Sequence, residues 1–295
     1  MAFGFTWNNP LVPLCSVLLS CPCTSPSDPS QVGDDFAPAL KRMGRIISVA
    51  SQKGGVGKTT TAINLGACLA QESRRVLIVD IDPQANATSG LGLNGNDQKN
   101  TIYEVLIGHA ELAEAVLPTA LANLDVAVSG QRLSGAEVEL VGMMARETRL
   151  RQAVSKVRDQ YDYILVDSPP SLGLLTVNAL TASDSVLIPL QCEYLALEGL
   201  TQLIGAIRLV QDHLNRGLRI EGVLLTMYDS RLNLSQQVAE EARKFFSERV
   251  YRTVIPRNVR LSEAPSFGKP IVLYDPHSTG AESYRDLAQE VLEHA

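Results

Sequence analysis

From residue 45 onward, short runs of Val, Ile and Leu alternate with longer stretches in which apolar residues recur at helical spacing. Near-continuous apolar runs of this length are typical of strands buried on both faces of a parallel sheet. The pattern predicts strands at 45–51, 75–82, 124–129, 161–169, 185–191, 220–229 and 251–256, and helices at 59–72, about 134–159, 195–214, 234–248 and 280–294. Strands that alternate with helices predict a doubly wound, mostly parallel α/β sheet with helices on both faces.

The first 42 residues follow a different pattern, with few periodic apolar positions and the stretch PCTSPSDPS at 22–30. Segments of this composition cannot bury enough apolar surface to fold. Met43 stands directly before the first predicted strand, so residues 1–42 are predicted to be a disordered extension or a segment upstream of the true translation start. No linker interrupts residues 43–295, which are predicted to form a single domain.

Cysteine usage and charge narrow the class of protein. The five cysteines are an odd, scattered set, which indicates reduced thiols rather than a disulfide framework. Cys21 and Cys23 lack a second pair or a nearby His, so no metal site is predicted there. The apolar stretch 11–20 has no basic residue before it and contains a proline, so a cytoplasmic protein is expected. The net charge of −6 excludes a uniformly basic protein, and any basic surface must be local.

A glycine-rich loop, SVASQKGGVGKTTTA at 48–62, joins the first predicted strand to the first predicted helix. It resembles the phosphate-binding motif G-x-x-x-x-G-K-[ST], but Gln52 replaces the first glycine and Lys53 adds a second lysine. Backbone N–H groups of such a loop wrap a phosphate, and the helix N-terminus faces the same anion. Lys58 is predicted to reach the β- and γ-phosphates of ATP, and the Thr59 hydroxyl to bind Mg²⁺. The alternative is a glycine-rich turn with two solvated lysines.

The predicted nucleotide-binding residues of this loop are Gly54, Gly55, Val56, Gly57, Lys58, Thr59 and Thr60.

Three carboxylates come at the ends of predicted strands. Asp80 and Asp82 are two residues apart, so both are predicted to face the same side of the sheet at its carboxyl edge, where α/β sheets bind ligands. A carboxylate there can hold Mg²⁺ or orient an attacking water, and the alternative is a cap on the turn before Pro83. Asp167 ends the apolar run YILVD, a Walker B pattern, and is predicted to hold Mg²⁺ directly or through water.

Several motifs together resemble a known family. The ParA/MinD group of deviant Walker ATPases is indicated by KGGVGKTTT at 53–61, VDIDPQ at 79–84 and VDSPP at 166–170. Its ParA/Soj chromosome-partitioning branch is indicated by ANATSGLG at 85–92, YDSRLNLS at 228–235 and NVRLSEAPSFGKPI at 258–271. The resemblance covers about residues 43–295 and implies a sheet of the P-loop NTPase type.

The resemblance also implies how such a protein works. ATP and Mg²⁺ are sandwiched in a homodimer, and the lysine that matches Lys53 crosses to the phosphates held by the other subunit. The catalytic residues implied are Lys53, Lys58 and Asp82, with Asp82 positioning water; the metal-binding residues predicted are Thr59, Asp82 and Asp167. The residue that matches Asp80 has no clear role. Hydrolysis is weak until a ParB-like centromere-binding protein stimulates it, and the ATP dimer binds DNA non-specifically on the nucleoid.

DNA and adenine contacts are placed by the same resemblance. Residues 208–269 hold eleven Lys/Arg against seven Asp/Glu, and Arg231 and Arg260 match positions that contact DNA. Phosphate contacts predict salt-dependent, sequence-independent binding, although any one arginine can instead be solvated or ion-paired. Other basic residues near them in sequence are Arg219, Arg249, Arg252, Arg257 and Lys269. The candidates for adenine contacts, at the ends of late strands, are Met227, Pro256 and Arg257.

Four other functions fit the motifs less well. A MinD-like, membrane-associated division-site regulator needs a basic amphipathic C-terminal helix, whereas residues 281–295 hold four acids against one arginine, so no membrane partner is expected. An iron–sulfur ATPase needs four thiolate ligands. A dethiobiotin-synthase-like ligase does not account for Lys53 together with RLSEAPSFGKP. The fourth alternative is a nucleotide-gated binding switch with negligible turnover. The sequence does not separate it from a weak ATPase, because an ATPase that is slow without its partner behaves as such a switch.

Overall fold

The computed structural model describes residues 43–193 and 196–294. The predictions for residues 1–42 and for Cys21 and Cys23 therefore lie outside the described residues. The strands are β1 Arg45–Val49, β2 Val76–Asp80, β3 Val116–Pro118, β4 Leu124–Ala127, β5 Tyr163–Asp167, β6 Ser185–Gln191, β7 Arg219–Tyr228 and β8 Val250–Pro256. They form one sheet in the order β3-β4-β2-β5-β1-β6-β7-β8. Only the short β3 pairs antiparallel, and all other described pairs are parallel.

Helices cover both faces of this sheet, as the apolar strand runs predict. They are α1 Lys58–Gln71, α2 Asn86–Gly90, α3 Ile102–Ile107, α4 Leu133–Val141, α5 Arg149–Ser155, α6 Leu174–Ala182, α7 Ala196–His213, α8 Asn233–Phe246, α9 Val259–Glu263, α10 Ile271–Tyr274 and α11 Thr279–Glu293. One core cluster lies between the sheet and the pair α1 and α11, a second contains α3 to α6, and a third contains α7 and α8. The predicted doubly wound fold is confirmed. None of the described helices is long and apolar enough to cross a membrane.

The single helix predicted at about 134–159 is wrong in detail, because two helices, α4 and α5, occupy this stretch. Gly142 caps the end of α4, and Ala145 adopts a left-handed backbone with φ 54°. The buried Asn178 of α6 then supports the break: its amide donates to the Arg146 carbonyl at 2.8 Å, and its Oδ1 accepts from the Leu150 amide at 3.2 Å. A side chain distant in sequence therefore satisfies the backbone groups that the helix break leaves open.

Helix α6 is not predicted by the sequence pattern, because its sequence LLTVNALTA has no polar face. Seven of its nine residues are buried, since it packs beneath the sheet next to α5. A helix that is buried nearly all round has no helical periodicity of polarity to detect.

Candidate nucleotide site

The loop between β1 and α1 curls at the carboxyl edge of the sheet. Gly55 and Gly57 have φ of 74° and 88°, a left-handed backbone that glycine adopts without strain. Gly57 caps α1, and its carbonyl accepts the Thr61 amide at 2.9 Å, which starts the helix. The Thr226 hydroxyl of β7 donates to the Val56 carbonyl at 2.9 Å and ties the loop to the sheet. The loop therefore has the conformation that a phosphate-binding turn needs.

Lys58 lies inside this loop rather than in solvent. Only 6% of the residue is exposed, and its Nζ donates to the Lys53 carbonyl at 3.1 Å. Burial lowers the pKa of Lys58, and the nearby carboxylates of Asp167 and Asp82 oppose this by favouring the ammonium. A buried cation held inside a glycine-rich loop by a backbone carbonyl is suited to binding an anion. The alternative of a turn with two solvated lysines does not describe Lys58.

Asp80 and Asp82 differ in their surroundings. β2 ends at Asp80, so Asp82 lies in the following loop and the argument from strand alternation does not apply to it. Asp80 is fully buried and accepts from the Thr88 amide and hydroxyl at 2.8 and 2.7 Å. Burial raises the pKa of Asp80 to about 6 despite these hydrogen bonds. Asp80 also accepts the Asp82 amide at 3.2 Å, so Asp80 shapes the loop that presents Asp82. Asp82 itself accepts the Gln84 amide at 2.9 Å.

Asp167 is the carboxylate that fits a metal ion. It ends β5 directly beside Asp80 in the β2–β5 register, and neither of its buried oxygens has a hydrogen-bond partner. Burial and, next, the neighbouring Asp80 raise the pKa of Asp167. The nearby Thr59 hydroxyl opposes this by favouring the carboxylate, although its position does not make a hydrogen bond of ordinary geometry. A buried carboxylate without partners is costly unless a cation compensates it.

This donor set suits Mg²⁺ in particular. Among the described residues, no group of three or more His, Cys, Asp or Glu side chains is arranged to hold a metal by itself. Mg²⁺ is commonly held by one or two protein oxygens together with waters and substrate phosphates. Thr59, in the first turn of α1, and Asp167, at the end of β5, match that pattern.

Lys53 points away from the loop that contains it. Its Nζ forms an ion pair with Glu193 Oε2 at 3.1 Å, just beyond the end of β6. The other Glu193 oxygen accepts from Gln191 Nε2 at 2.6 Å and lies 3.7 Å from a nitrogen of the Arg257 guanidinium. Both partners of the Lys53 pair are partly exposed, so the pair contributes little to stability and is easily exchanged. The side chains of the two lysines of the loop therefore point in different directions, that of Lys58 into the loop and that of Lys53 towards Glu193.

A cavity of about 430 Å³ adjoins the phosphate loop. Met227, Pro256 and Arg257, the candidates for adenine contacts, line it together with Gly57 and Thr60. A cavity of this size suits a small ligand. Met227 has φ 50°, a left-handed backbone that costs a non-glycine residue about 1 kcal/mol or more and is common at ligand sites. The structure brings these three residues together, while their contact with adenine stays a prediction.

The candidate DNA-binding arginines lie at the same edge of the sheet. Arg231 follows β7 and Arg260 lies in the first turn of the short α9 after β8, so both are at the carboxyl edge. Each has acidic partners: Arg231 binds Asp229 at 2.7 Å, and Arg260 binds Glu263 at 2.9 Å. The Arg231 side chain is 86% exposed, so solvent screens its ion pair and a phosphate can replace the carboxylate.

The other basic residues named with them are dispersed. Arg219 begins β7 and Arg249 precedes β8, which places both at the opposite, amino edge of the sheet. Arg252 pairs with Glu293 at 2.6 Å on α11. Nearness in sequence to Arg231 and Arg260 is thus a poor guide to a common surface.

The sequence reasoning missed three supporting residues: Thr226 beneath the loop, Thr88 beside Asp80, and Glu193 beside Lys53. Thr226 lies near the carboxyl end of β7, Glu193 follows the end of β6, and Thr88 lies in α2, the helix after β2. The rule that ligand sites form at this edge could have found Glu193, since it closely follows a predicted strand. Nothing in the sequence pairs Thr226 with Val56.

This fold, with a glycine-rich loop that caps a helix around a buried lysine, defines a P-loop nucleotide-binding protein. The model of the AAA domain family matches residues 44–220. The sporulation initiation inhibitor protein Soj of Bacillus subtilis is 62% identical over 84% of this chain and 98% of its own length. The chromosome partitioning protein ParA of Myxococcus xanthus is 57% identical over 85% of this chain and 88% of its own. The chain belongs to the ParA/Soj family of chromosome-partitioning ATPases.

Solved structures agree with the fold. A Mycobacterium smegmatis protein described as cobyrinic acid a,c-diamide synthase, with bound ADP and magnesium, is 37% identical, covers 85% of this chain and 95% of its own, and superposes with a TM-score of 0.76. The cell division ATPase MinD of Pyrococcus furiosus is 31% identical over 86% of this chain and all of its own, with a TM-score of 0.72. The partitioning relatives above share far more identity than either structure.

Proposed function

We propose that this protein is a DNA-segregation ATPase, in which an ATP-bound homodimer binds DNA non-specifically and hydrolysis releases it. One observation carries the proposal: the loop holds two lysines, and Lys53 projects to Glu193 at the loop's outer side while Lys58 stays inside. A second cation at the rim suits the nucleotide of a facing subunit. Two relatives described as chromosome partitioning protein ParA are 57% and 53% identical to this chain, which supports the same role.

ATP with Mg²⁺ is the proposed substrate of this site. Backbone N–H groups of residues 54–60 and the Lys58 ammonium would hold the phosphates, and Thr59 and Asp167 would hold Mg²⁺. The metal ion, when bound, neutralises phosphate charge. Asp82, in the loop after β2 that hydrogen bonds to Asp80 hold in place, orients the water that attacks the γ-phosphorus. The bond from that phosphorus to the ADP oxygen breaks, giving ADP and phosphate.

Dimerisation supplies a second positive charge to the reacting phosphoryl group. Lys53 of the facing subunit adds a positive charge to the phosphoryl group as negative charge develops, which is the role that an arginine finger has in related reactions. Because the contact between Lys53 and the facing phosphates needs bound ATP, the dimer forms only when ATP is bound. DNA phosphates would then bridge Arg231 and Arg260 of both subunits, so that two weak sites act together.

Stimulated hydrolysis is the central test of this function. ATP turnover is measured with DNA, with the ParB-like protein encoded by the same genome, and with both. We expect strong joint stimulation of the wild type. We expect Asp82→Ala to bind ATP and dimerise but to lose about 100-fold or more of the stimulated rate, because water is no longer oriented.

Asp82→Asn is the companion variant, since its amide oxygen can keep the contact with the Gln84 amide. If Asp82→Asn is equally slow, the lost charge and not a collapsed loop is responsible. Turnover that stays at the wild-type rate in both variants, with normal stimulation, would refute the role of Asp82. Absence of any stimulation by DNA and partner together would refute the segregation function.

DNA binding is tested with the double variant Arg231→Glu/Arg260→Glu. We expect the ATP dimer to form normally but to lose DNA affinity at physiological salt, since both side chains would repel phosphate. The slope of log affinity against log salt should fall by about one for each DNA phosphate that the variant no longer neutralises. The measurement is a salt titration of binding to duplexes of unrelated sequence.

The matched control is Arg74→Glu/Arg216→Glu, which changes the charge equally. Both of these arginines precede strands, β2 and β7, and so lie at the amino edge. If this control weakens DNA binding as much as the first pair, general charge and not the carboxyl-edge surface governs affinity. Affinity that survives in the first pair would place the DNA elsewhere.

The MinD-like alternative is not favoured by any contact in the described chain. The apolar face of α11 packs into the core through Ala281, Tyr284 and Leu287, so it is not free to enter a lipid surface. Its outer face is acidic, with Glu282, Asp286 and Glu293. We therefore propose a cytoplasmic, nucleoid-associated protein with no membrane partner.

A further inference from the structure

A second concave site lies far from the candidate nucleotide site. A groove of about 470 Å³ runs between α7 and α8 over the first residues of β7, and Ile207 and Leu218 contribute to its apolar lining. Arg219, which begins β7, lines it too, whereas Met227 near the other end of that strand lines the nucleotide-site cavity. Met227 is eight positions further along the strand than Arg219, which is about 26 Å. The groove is therefore separate from the carboxyl edge of the sheet.

Three arginines that have no carboxylate partner among the described residues line this groove. Arg208, Arg219 and Arg249 all line it and all are exposed. In the described part of the chain, none of the three forms an ion pair with a carboxylate, whereas Arg231 and Arg260 do. Unpaired guanidinium groups around one concavity create a positive potential that favours an anionic occupant.

An exposed aromatic residue belongs to the same site. Phe245, near the end of α8, is 72% exposed, while its neighbour Phe246 is buried in the core. The two rings meet edge to face with centroids 4.8 Å apart, so Phe245 is held against a rigid support. Exposed aromatic side chains beside arginines are typical of the residues that dominate binding energy at protein interfaces.

We propose that this groove docks an acidic, amphipathic peptide segment of a partner protein. Carboxylates of the segment pair with Arg208, Arg219 and Arg249, and its apolar side chains enter the concavity against Phe245. A DNA backbone has charge but no apolar group to fill the space over Ile207. The concave, half-apolar shape therefore favours a peptide, bound at the edge of the sheet opposite the proposed nucleotide and DNA surfaces.

The test uses a fluorescent 16-residue synthetic peptide with leucines at helical i, i+3, i+4 and i+7 spacing and glutamates elsewhere, together with a version that has glutamine in place of every glutamate. Fluorescence anisotropy with the full chain should show at least tenfold tighter binding of the glutamate peptide, weakening with salt. Arg208→Glu/Arg249→Glu should lose that binding, and Phe245→Ala should weaken it. Arg216→Glu, outside the groove, should retain it.

Three results would overturn the proposal. One is no binding of the glutamate peptide, or equal binding of both peptides, to the wild type. Another is an equal loss of affinity in Arg216→Glu. The third is a loss of duplex DNA affinity in Arg208→Glu/Arg249→Glu, with peptide binding unchanged, which would assign the groove to DNA. Thermal unfolding of each variant establishes that the fold is intact, and Phe245→Ala tests the apolar part without any change of charge.

Discussion

Lys58→Ala will abolish ATP binding at concentrations that saturate the wild type. The side chain is almost fully buried and held inside the phosphate loop by the Lys53 carbonyl. Its loss removes a charge-assisted contact worth about 3 kcal/mol, which corresponds to about 100-fold in affinity. It also leaves Asp167 and Asp82 without the nearby cation, so their negative charge opposes the phosphates. Equilibrium binding of a fluorescent ATP analogue with Mg²⁺ measures the effect.

Lys53→Ala is the matched control for that experiment, because it removes a lysine of the same loop whose side chain points elsewhere. We expect its affinity for ATP to stay within about threefold of the wild type, as only a partly exposed ion pair is removed. Unfolding temperatures of both variants show whether the loop remains folded. ATP affinity retained in Lys58→Ala would refute the assignment of the phosphate loop.

Lys53→Ala will bind ATP as a monomer and fail to form the ATP dimer. In the isolated chain, Lys53 pairs with Glu193 rather than with its own loop, so the facing nucleotide is its proposed target. Without it, two nucleotide sites would face each other with uncompensated phosphate charge, which opposes association. Light scattering after size exclusion, with and without ATP, measures the dimer. DNA binding and stimulated hydrolysis should fall with it, because both need two subunits.

Lys99→Ala controls for the general loss of a positive charge, since Lys99 is an exposed lysine that forms no ion pair among the described residues. It should dimerise normally. A dimer that forms with unchanged ATP dependence in Lys53→Ala would eliminate the crossing role of Lys53. Because this variant is expected to bind nucleotide, such a result would leave the phosphate loop assignment standing.

Much of the fold could be predicted because its signals are local. The Val- and Ile-rich runs at β2, β5 and β6 are buried on both sides, and a strand in that environment needs an apolar residue at every position. Helix α6 escaped prediction for a related reason: seven of its nine residues are buried, including the polar Thr176, Asn178 and Thr181, so no exposed polar face marks it in the sequence. The break between α4 and α5 depends on Asn178, which lies about 30 residues further along the chain.

The candidate site also contains residues that local sequence identifies and residues that only the folded sheet brings together. Positions 54–59 could be identified because glycines with positive φ, a lysine and a threonine must occur in a fixed order for a turn to wrap a phosphate. Asp82 and Asp167 could be identified because each ends or follows a recognisable strand. The cavity formed by Met227, Pro256 and Gly57 could not, since parallel strands far apart in sequence meet only in the folded sheet.

The sequence by itself determined the doubly wound sheet, the phosphate loop and the family, because short-range spacing and backbone sterics specify these. Only the tertiary structure decided where the charges point: Lys58 inward and Lys53 to Glu193, Asp167 without a partner, and the arginines divided between the two edges of the sheet. The physical reason is that a side chain's charge acts over a few ångströms of space. Those neighbours are set by strand order and not by position along the chain.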